Sequence, residues 1–146
     1  MKVEVKIDSS YKTPLCIIYT DAVTDEINEY IKRLSSEKAK ILTGKNGDMI
    51  TVIRQDEIIN ICSANGKVYA VTEKGEFIVN QRLYELENSL DCERFVRISN
   101  SEIINLEKVK GFNLKLSGTI YVSFNDGRST YVSRRYVSKI KERLGV

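Results

Sequence analysis

From residue 40 onward the chain alternates apolar and polar residues in short runs, and nearly every run ends at a turn signal. The runs are 40–43, 49–53, 58–63, 67–72, 76–79, 102–105, 109–116, 119–124 and 129–132. Between them lie Lys45-Asn46-Gly47-Asp48, Asn65-Gly66, Lys74-Gly75, Ser117-Gly118 and Asn125-Asp126-Gly127. Period-two alternation puts every second side chain on one face of a strand, and turns this short join antiparallel neighbours. Two segments change to a helical period. Leu83, Leu86 and Leu90 share one helix face, and after Ser133 the residues Tyr136, Val137, Ile140 and Leu144 share another. The regular β-α-β alternation of a nucleotide-binding sheet is absent, so the expected class is β-rich α+β.

The first 44 residues follow a different pattern. Val3, Val5 and Ile7 fall on one side of a candidate strand at 2–7, and Pro14 leads into an apolar run at 15–19. Val23, Ile27, Tyr30, Ile31 and Leu34 then form a helical stripe, with Thr24 as N-cap and Asp25 and Glu26 in the first turn. This predicts a small β-β-α unit over 1–44, serving dimerisation or signal input, ahead of a β-rich domain over 45–146.

Composition narrows the function. The chain has no histidine, and its three cysteines, Cys16, Cys62 and Cys92, are far apart. The usual zinc ligand sets therefore cannot be assembled, and the thiols are expected to be reduced. The commonest general base at neutral pH is missing, as are both glycine-rich phosphate-binding motifs. Asp56 and Glu57 diverge on a strand, and Glu85 and Glu87 diverge on a helix, so neither pair reads as an acid–base couple. Neither an enzyme activity, a cofactor, a metal nor a small-molecule substrate is expected. No apolar run reaches membrane-span length and MKVEVKIDSS lacks a signal-peptide core, so the expected location is the cytoplasm.

Charge is distributed unevenly. From Phe95 to Val146 ten Lys and Arg stand against four Asp and Glu, a net of +6, whereas residues 1–94 carry thirteen against sixteen, a net of −3. A basic final third points to an anionic partner for that part of the chain.

Four blocks in order carry a family resemblance. They are Asp56-Glu57-Ile58-Ile59-Asn60-Ile61 with the turn and return strand to Tyr69, Leu83-Tyr84-Glu85-Leu86-Glu87, the run from Phe95 to Leu106, and Val132-Ser133-Arg134-Arg135-Tyr136-Val137. The third fits an F-x-R-x-x-x-S-x-I-V-N pattern and the fourth a V-S-R-R-Y pattern. Over roughly ninety residues the chain resembles the LytTR-type DNA-binding domain, in a stand-alone form without a receiver domain, for which the first forty-odd residues are too few. The resemblance implies an elongated, mostly antiparallel β-fold with short helices. It further implies a sequence-specific regulator that reads successive major grooves of double-stranded DNA with loop and strand-end side chains, as a homodimer.

Carried over onto this chain, the family's base-contact positions fall on Lys67, Asn100 and Arg135. Lysine donates to guanine O6 and N7, asparagine pairs with adenine N6 and N7, and arginine grips guanine bidentately. Ser99, Ser101, Arg134 and Lys139 are candidate phosphate contacts, and the helix N–H groups behind Ser133 offer a further anion site. Lys141 and Arg143 read as solvated helix charges; Tyr69 and Tyr136 read as packing residues; Phe95, Ile103 and Ile104 read as core. A competing reading is a protein-interaction module that binds a membrane-embedded regulatory partner and has little DNA affinity.

Overall fold

The computed structural model describes residues 1–35 and 42–146. The chain divides into two compact units, Met1–Ser36 and Glu37–Val146. In the first unit, α1 spans Asp25–Ser35. Its start follows the expected chemistry: the Thr24 hydroxyl accepts the Ile27 amide at 3.3 Å, and two acids sit in the first turn.

The two strands expected at 2–7 and 15–19 do not form. Neither segment is assigned as strand, and Val3, Val5, Ile7, Leu15, Ile17 and Tyr19 are all exposed. Alternation at 2–7, or a continuous apolar run at 15–19, specifies only what a strand would bury. It does not supply a ladder partner, and no neighbouring strand among the described residues offers one. The helix of the anticipated β-β-α unit is therefore present without its sheet.

Among its described residues the second unit holds ten strands. In chain order they are β1 (Leu42–Asn46), β2 (Met49–Ile53), β3 (Ile58–Ala64), β4 (Lys67–Thr72), β5 (Gly75–Val79), β6 (Phe95–Ser99), β7 (Glu102–Asn105), β8 (Val109–Leu114), β9 (Ile120–Phe124) and β10 (Ser129–Val132). Helix α2 (Leu83–Ser89) lies between β5 and β6, and α3 (Arg134–Leu144) follows β10. Seven strands form one sheet in the order β2-β1-β5-β4-β3-β7-β6, and three form a second in the order β10-β9-β8. Every pairing is antiparallel. The expected strands at 49–53, 67–72, 102–105 and 129–132 have the predicted ends. The expected strand at 40–43 starts outside the described residues, and β1 continues to Asn46. β6 was not among the expected strands, since Phe95, Val96 and Ile98 break simple alternation; the β6–β7 register shifts between Arg97 and Ser99.

The core explains why β3 and β7 contain adjacent apolar residues. Ile58, Ile61 and Ile103 join α2's Leu83 and Leu86 in one cluster, with Phe95 and Leu42. Ile59, Ile104, Val96 and Ile98 join Ile120, Val122, Phe124 and α3's Ile140 in another. Neighbouring residues on a strand point to opposite faces, so these strands are buried on both sides. The large sheet thus forms a wall between the α2 layer and a layer made of the small sheet and α3.

Gly44 on β1 marks a close approach. A Cβ there would stand 2.5 Å from both Ile53 Cδ1 and Phe77 Cβ. The isoleucine tip can move, but the Phe77 Cβ is fixed to its backbone. Gly44→Ala is expected to cost about 1–3 kcal/mol of stability through overpacking. Urea denaturation should register this as a lower midpoint with an unchanged slope.

Candidate nucleic-acid interface

Strand pairing brings three separated segments to one end of the large sheet. The first is the β3–β4 hairpin tip. Asn65 and Gly66 both take positive φ, +52° and +74°, the geometry a two-residue hairpin turn needs, and Ala64 pairs with Lys67. Lys67 is exposed.

The second segment is the β6–β7 turn, Asn100-Ser101. Cys62 on β3 pairs with Glu102 on β7, which sets the turn beside the end of β3. The Ser63 amide donates to the Ser101 carbonyl at 2.8 Å, tying this turn to the hairpin that carries Lys67. Ser99 and Ser101 hydroxyls lie 3.2 Å apart, and the Ser101 amide donates to Ser99 Oγ at 3.2 Å. The serines thus brace the turn as well as facing outward from it.

The third segment is the start of α3. The Ser133 amide donates to the Ile98 carbonyl at 2.9 Å, fixing the helix start beside the end of β6. Ser133 occupies the N-cap position, but its side chain makes no capping bond. Arg134 and Arg135 in the first turn are exposed, and no ion pair among the described residues involves either. Two cations at the positive end of a helix dipole carry a small electrostatic penalty, of roughly a few tenths of a kcal/mol.

Lys67, Asn100 and Arg135 therefore sit on three elements gathered at one sheet end. Lys139 is placed differently from the other charged candidates: its Nζ lies 3.7 Å from Glu87, which offsets part of its charge. Tyr136 is partly buried against the core, as expected, and its hydroxyl also donates to Asn100 Oδ1 at 3.2 Å. Arg143 is not simply solvated. Its Nη2 donates to the carbonyls of Cys92 and Glu93 at 2.8 and 2.9 Å, linking the end of α3 to the loop before β6.

Residue typing missed the support beneath this end. Arg97 lies within the F-x-R-x-x-x-S block, but its role follows from geometry: Nη1 donates to Glu87 at 2.9 Å, Nε to the Ser99 carbonyl at 2.9 Å, and Nη2 to the Asn100 carbonyl at 2.7 Å. Glu102 accepts from Asn60 on β3 at 2.8 Å and from Thr130 on β10 at 2.6 Å, joining the two sheets.

Cys62 is half-buried, and desolvation pushes its thiol up, with the nearby carboxylates of Glu102 and Glu76 adding to the effect; that favours the unreactive thiol. Among the described residues no cluster of three acidic or thiol side chains is placed to hold a metal. A shallow groove of about 500 Å³ lies along β8 and β9, lined by residues that include Lys110, Phe112, Asn113 and Asn125.

Comparison with known proteins decides what this end belongs to. A family model described as the LytTr DNA-binding domain matches residues 48–145. The chain belongs to the LytTr DNA-binding domain family. The matched stretch starts just before β2 and runs to the end of α3, so it contains all three segments gathered at this sheet end. Two curated relatives, described as uncharacterized HTH-type transcriptional regulators of Staphylococcus aureus strains NCTC 8325 / PS 47 and COL, are each 32% identical over 147 residues. Each alignment covers 100% of this chain and 99% of the relative, and so includes the first unit. A solved LytTr DNA-binding domain from Bacillus cereus superposes with a TM-score of 0.70 at 24% identity, covering 73% of this chain and 99% of that one. That likeness establishes the LytTr fold. Although the relatives are called HTH-type, strands separate all three α-helices among the described residues, and no two helices are consecutive. Among the described residues no helix is long and apolar enough to cross a membrane.

Proposed function

We propose that this LytTr protein is a cytoplasmic, sequence-specific transcriptional regulator that reads successive major grooves of double-stranded DNA. The observation carrying this reading is the convergence of Lys67, Asn100 and Arg135 on one sheet end from three elements far apart in sequence. The assigned chemistry is direct. The Lys67 ammonium donates to guanine O6 or N7; the Asn100 amide pairs with adenine N6 and N7; the Arg135 fork takes guanine O6 and N7 together. Ser99, Ser101, Arg134 and Lys139 hold backbone phosphates and set the register without reading sequence. The uncapped start of α3 adds free N–H donors for a phosphate, which offsets the placement of two arginines there. The net of +6 from Phe95 onward supplies the salt-dependent part of binding.

Residues 1–44 are assigned to dimerisation or signal input, and 45–146 to DNA binding, with two copies placed on repeated half-sites. The exposed apolar side chains of segments 2–7 and 15–19, of Val23 and of α1, including Leu34, support a partner surface in the first part. No cofactor takes part in this reading, and it involves no catalysis.

The test is selection of duplexes from a randomised library by the full chain, followed by mobility shift. A single preferred half-site repeated at a fixed spacing is the expected result. If no duplex is preferred over random DNA, the reading fails. The same exposed apolar surface also favours the alternative of a membrane-embedded or other regulatory protein partner, and that partner's capture in a pull-down without any DNA affinity would install the alternative.

A further inference from the structure

We infer that Tyr136 and Arg97 are positioning residues that hold the Asn100 amide in one orientation and lock it to the start of α3, so that Asn100 and Arg135 meet DNA as one rigid unit. The inference rests on the base-reading role proposed for Asn100, and extends it to two residues that need not touch DNA. An asparagine amide reads adenine only when its oxygen faces N6 and its nitrogen faces N7; the flipped amide presents the wrong pattern. On an exposed turn nothing intrinsic to asparagine selects one orientation.

The structure shows one orientation, with the amide oxygen toward the Tyr136 hydroxyl, and a phenol, a better donor than acceptor, favours it. The Tyr136 hydroxyl donates to Asn100 Oδ1 at 3.2 Å, which occupies one lone pair of that oxygen. The other lone pair stays available for the N6 amino group, and both Nδ2 hydrogens are free for N7. Tyr136 lies next to Arg135 on α3, and its ring packs against the core, so the hydroxyl comes from a fixed body.

Arg97 fixes the backbone beneath the same amide. One guanidinium spans the Ser99 and Asn100 carbonyls at 2.9 and 2.7 Å, and its third bond goes to Glu87 at 2.9 Å. The Arg97 side chain is only 15% exposed; its bonds to Glu87 and to the Ser99 carbonyl are partly sheltered, and the one to the Asn100 carbonyl is exposed. Glu87 also faces Lys139 on α3 at 3.7 Å. The turn is thereby tied to α3 twice, through Tyr136 and through the Arg97–Glu87–Lys139 chain, and the Ser133–Ile98 backbone bond adds a third tie. Pre-ordering of this kind lowers the entropy lost on binding and penalises a base pair that fits only another amide orientation.

The experiment uses the full chain, and as probe the duplex selected by the wild type from a randomised library. Asn100→Ala first identifies the base pair whose preference depends on Asn100. Tyr136→Phe, which keeps the packed ring and deletes the hydroxyl, is then expected to flatten preference at that same base pair and to weaken binding about 3- to 10-fold, the effect of one net hydrogen bond. Affinity for random DNA and its salt dependence stay as in the wild type. Arg97→Lys, which keeps the charge beside Glu87 but loses the planar fork, moves the same base pair. A purely structural role would lower the melting temperature and weaken all duplexes alike, with preferences intact. Wild-type preference retained at that base pair in Tyr136→Phe overturns the inference alone. If Asn100→Ala changes preference nowhere, the base-reading role falls and takes the inference with it.

Discussion

Replacing Asn105 by alanine is expected to cost about 2–4 kcal/mol of folding stability, a fall in Tm on the order of 10 °C for a domain of this size. Asn105 ends β7 and is fully buried. Its Nδ2 donates to the Ile58 carbonyl at 2.8 Å, and its Oδ1 accepts the Glu107 amide at 3.0 Å. One side chain thus satisfies the carbonyl that opens β3 and the amide of the turn after β7. Alanine removes the partner of the Ile58 carbonyl in a buried site and the cap of the Glu107 amide in a part-buried one, at about 1–3 kcal/mol each, less whatever water and relaxation recover. Asn105→Asp retains the acceptor, but it cannot donate to Ile58 and places a carboxylate beside a carbonyl. It should be no better than alanine at neutral pH. Urea denaturation of the two variants and the wild type checks this, and a loss below about 1 kcal/mol for alanine would show that water or backbone shifts restore the missing bonds.

The second large effect concerns DNA. Arg135→Ala is expected to weaken binding to the selected duplex by about 1–3 kcal/mol, roughly 5- to 150-fold, and to relax preference at one guanine. Arg134→Ala, one residue away on the same turn of α3, should weaken selected and random duplexes by similar factors and lower the salt slope by about one unit. The contrast between the neighbours is the informative part. Both are exposed cations at a helix start, so a purely electrostatic footprint would make them equivalent. Titration of both variants against selected and random duplexes at several salt concentrations separates the cases. Equal losses with unchanged preferences would remove Arg135 from base readout and leave it as a phosphate contact.

Much of the domain was legible in the sequence because two-faced strands and turn chemistry are local signals. The Asn65-Gly66 turn announced its hairpin, and Thr24 announced the start of α1 as its N-cap. The Leu83 and Leu86 stripe found α2, and the apolar face of α3 found its core contact at Ile140. β6 was harder, since a register shift at Arg97–Ser99 breaks the period that marks a strand. The segments at 2–7 and 15–19 show the opposite failure. The first alternates clearly and the second is a continuous apolar run, yet a strand exists only where another supplies its ladder, and this depends on what lies beside it in space.

The candidate site divided along similar lines. The motif blocks picked out Lys67, Asn100 and Arg135, and pairing brought their elements to one end. The bracing beneath them was invisible, because Arg97 meets Glu87 across ten residues and Tyr136 meets Asn100 across thirty-six. Arg143 reads as a typical solvated charge until the carbonyls of Cys92 and Glu93 are found within its reach. Residue type gives hydrogen-bonding capacity; only the packed fold assigns the partner.

The pairing of β3 with β7 bears on how the protein comes into being. Asn60 and Glu102, joined across those strands, are 42 residues apart, whereas the β3–β4 and β8–β9 hairpins close over short loops. Short hairpins form in microseconds, and a distant pairing waits on the closure of a long chain segment. The hairpin tip, the β6–β7 turn and the start of α3 can align only after that closure. On the function proposed above, selectivity therefore arises only after that closure, and a nascent or partly unfolded chain carries the basic residues without the geometry that aligns them.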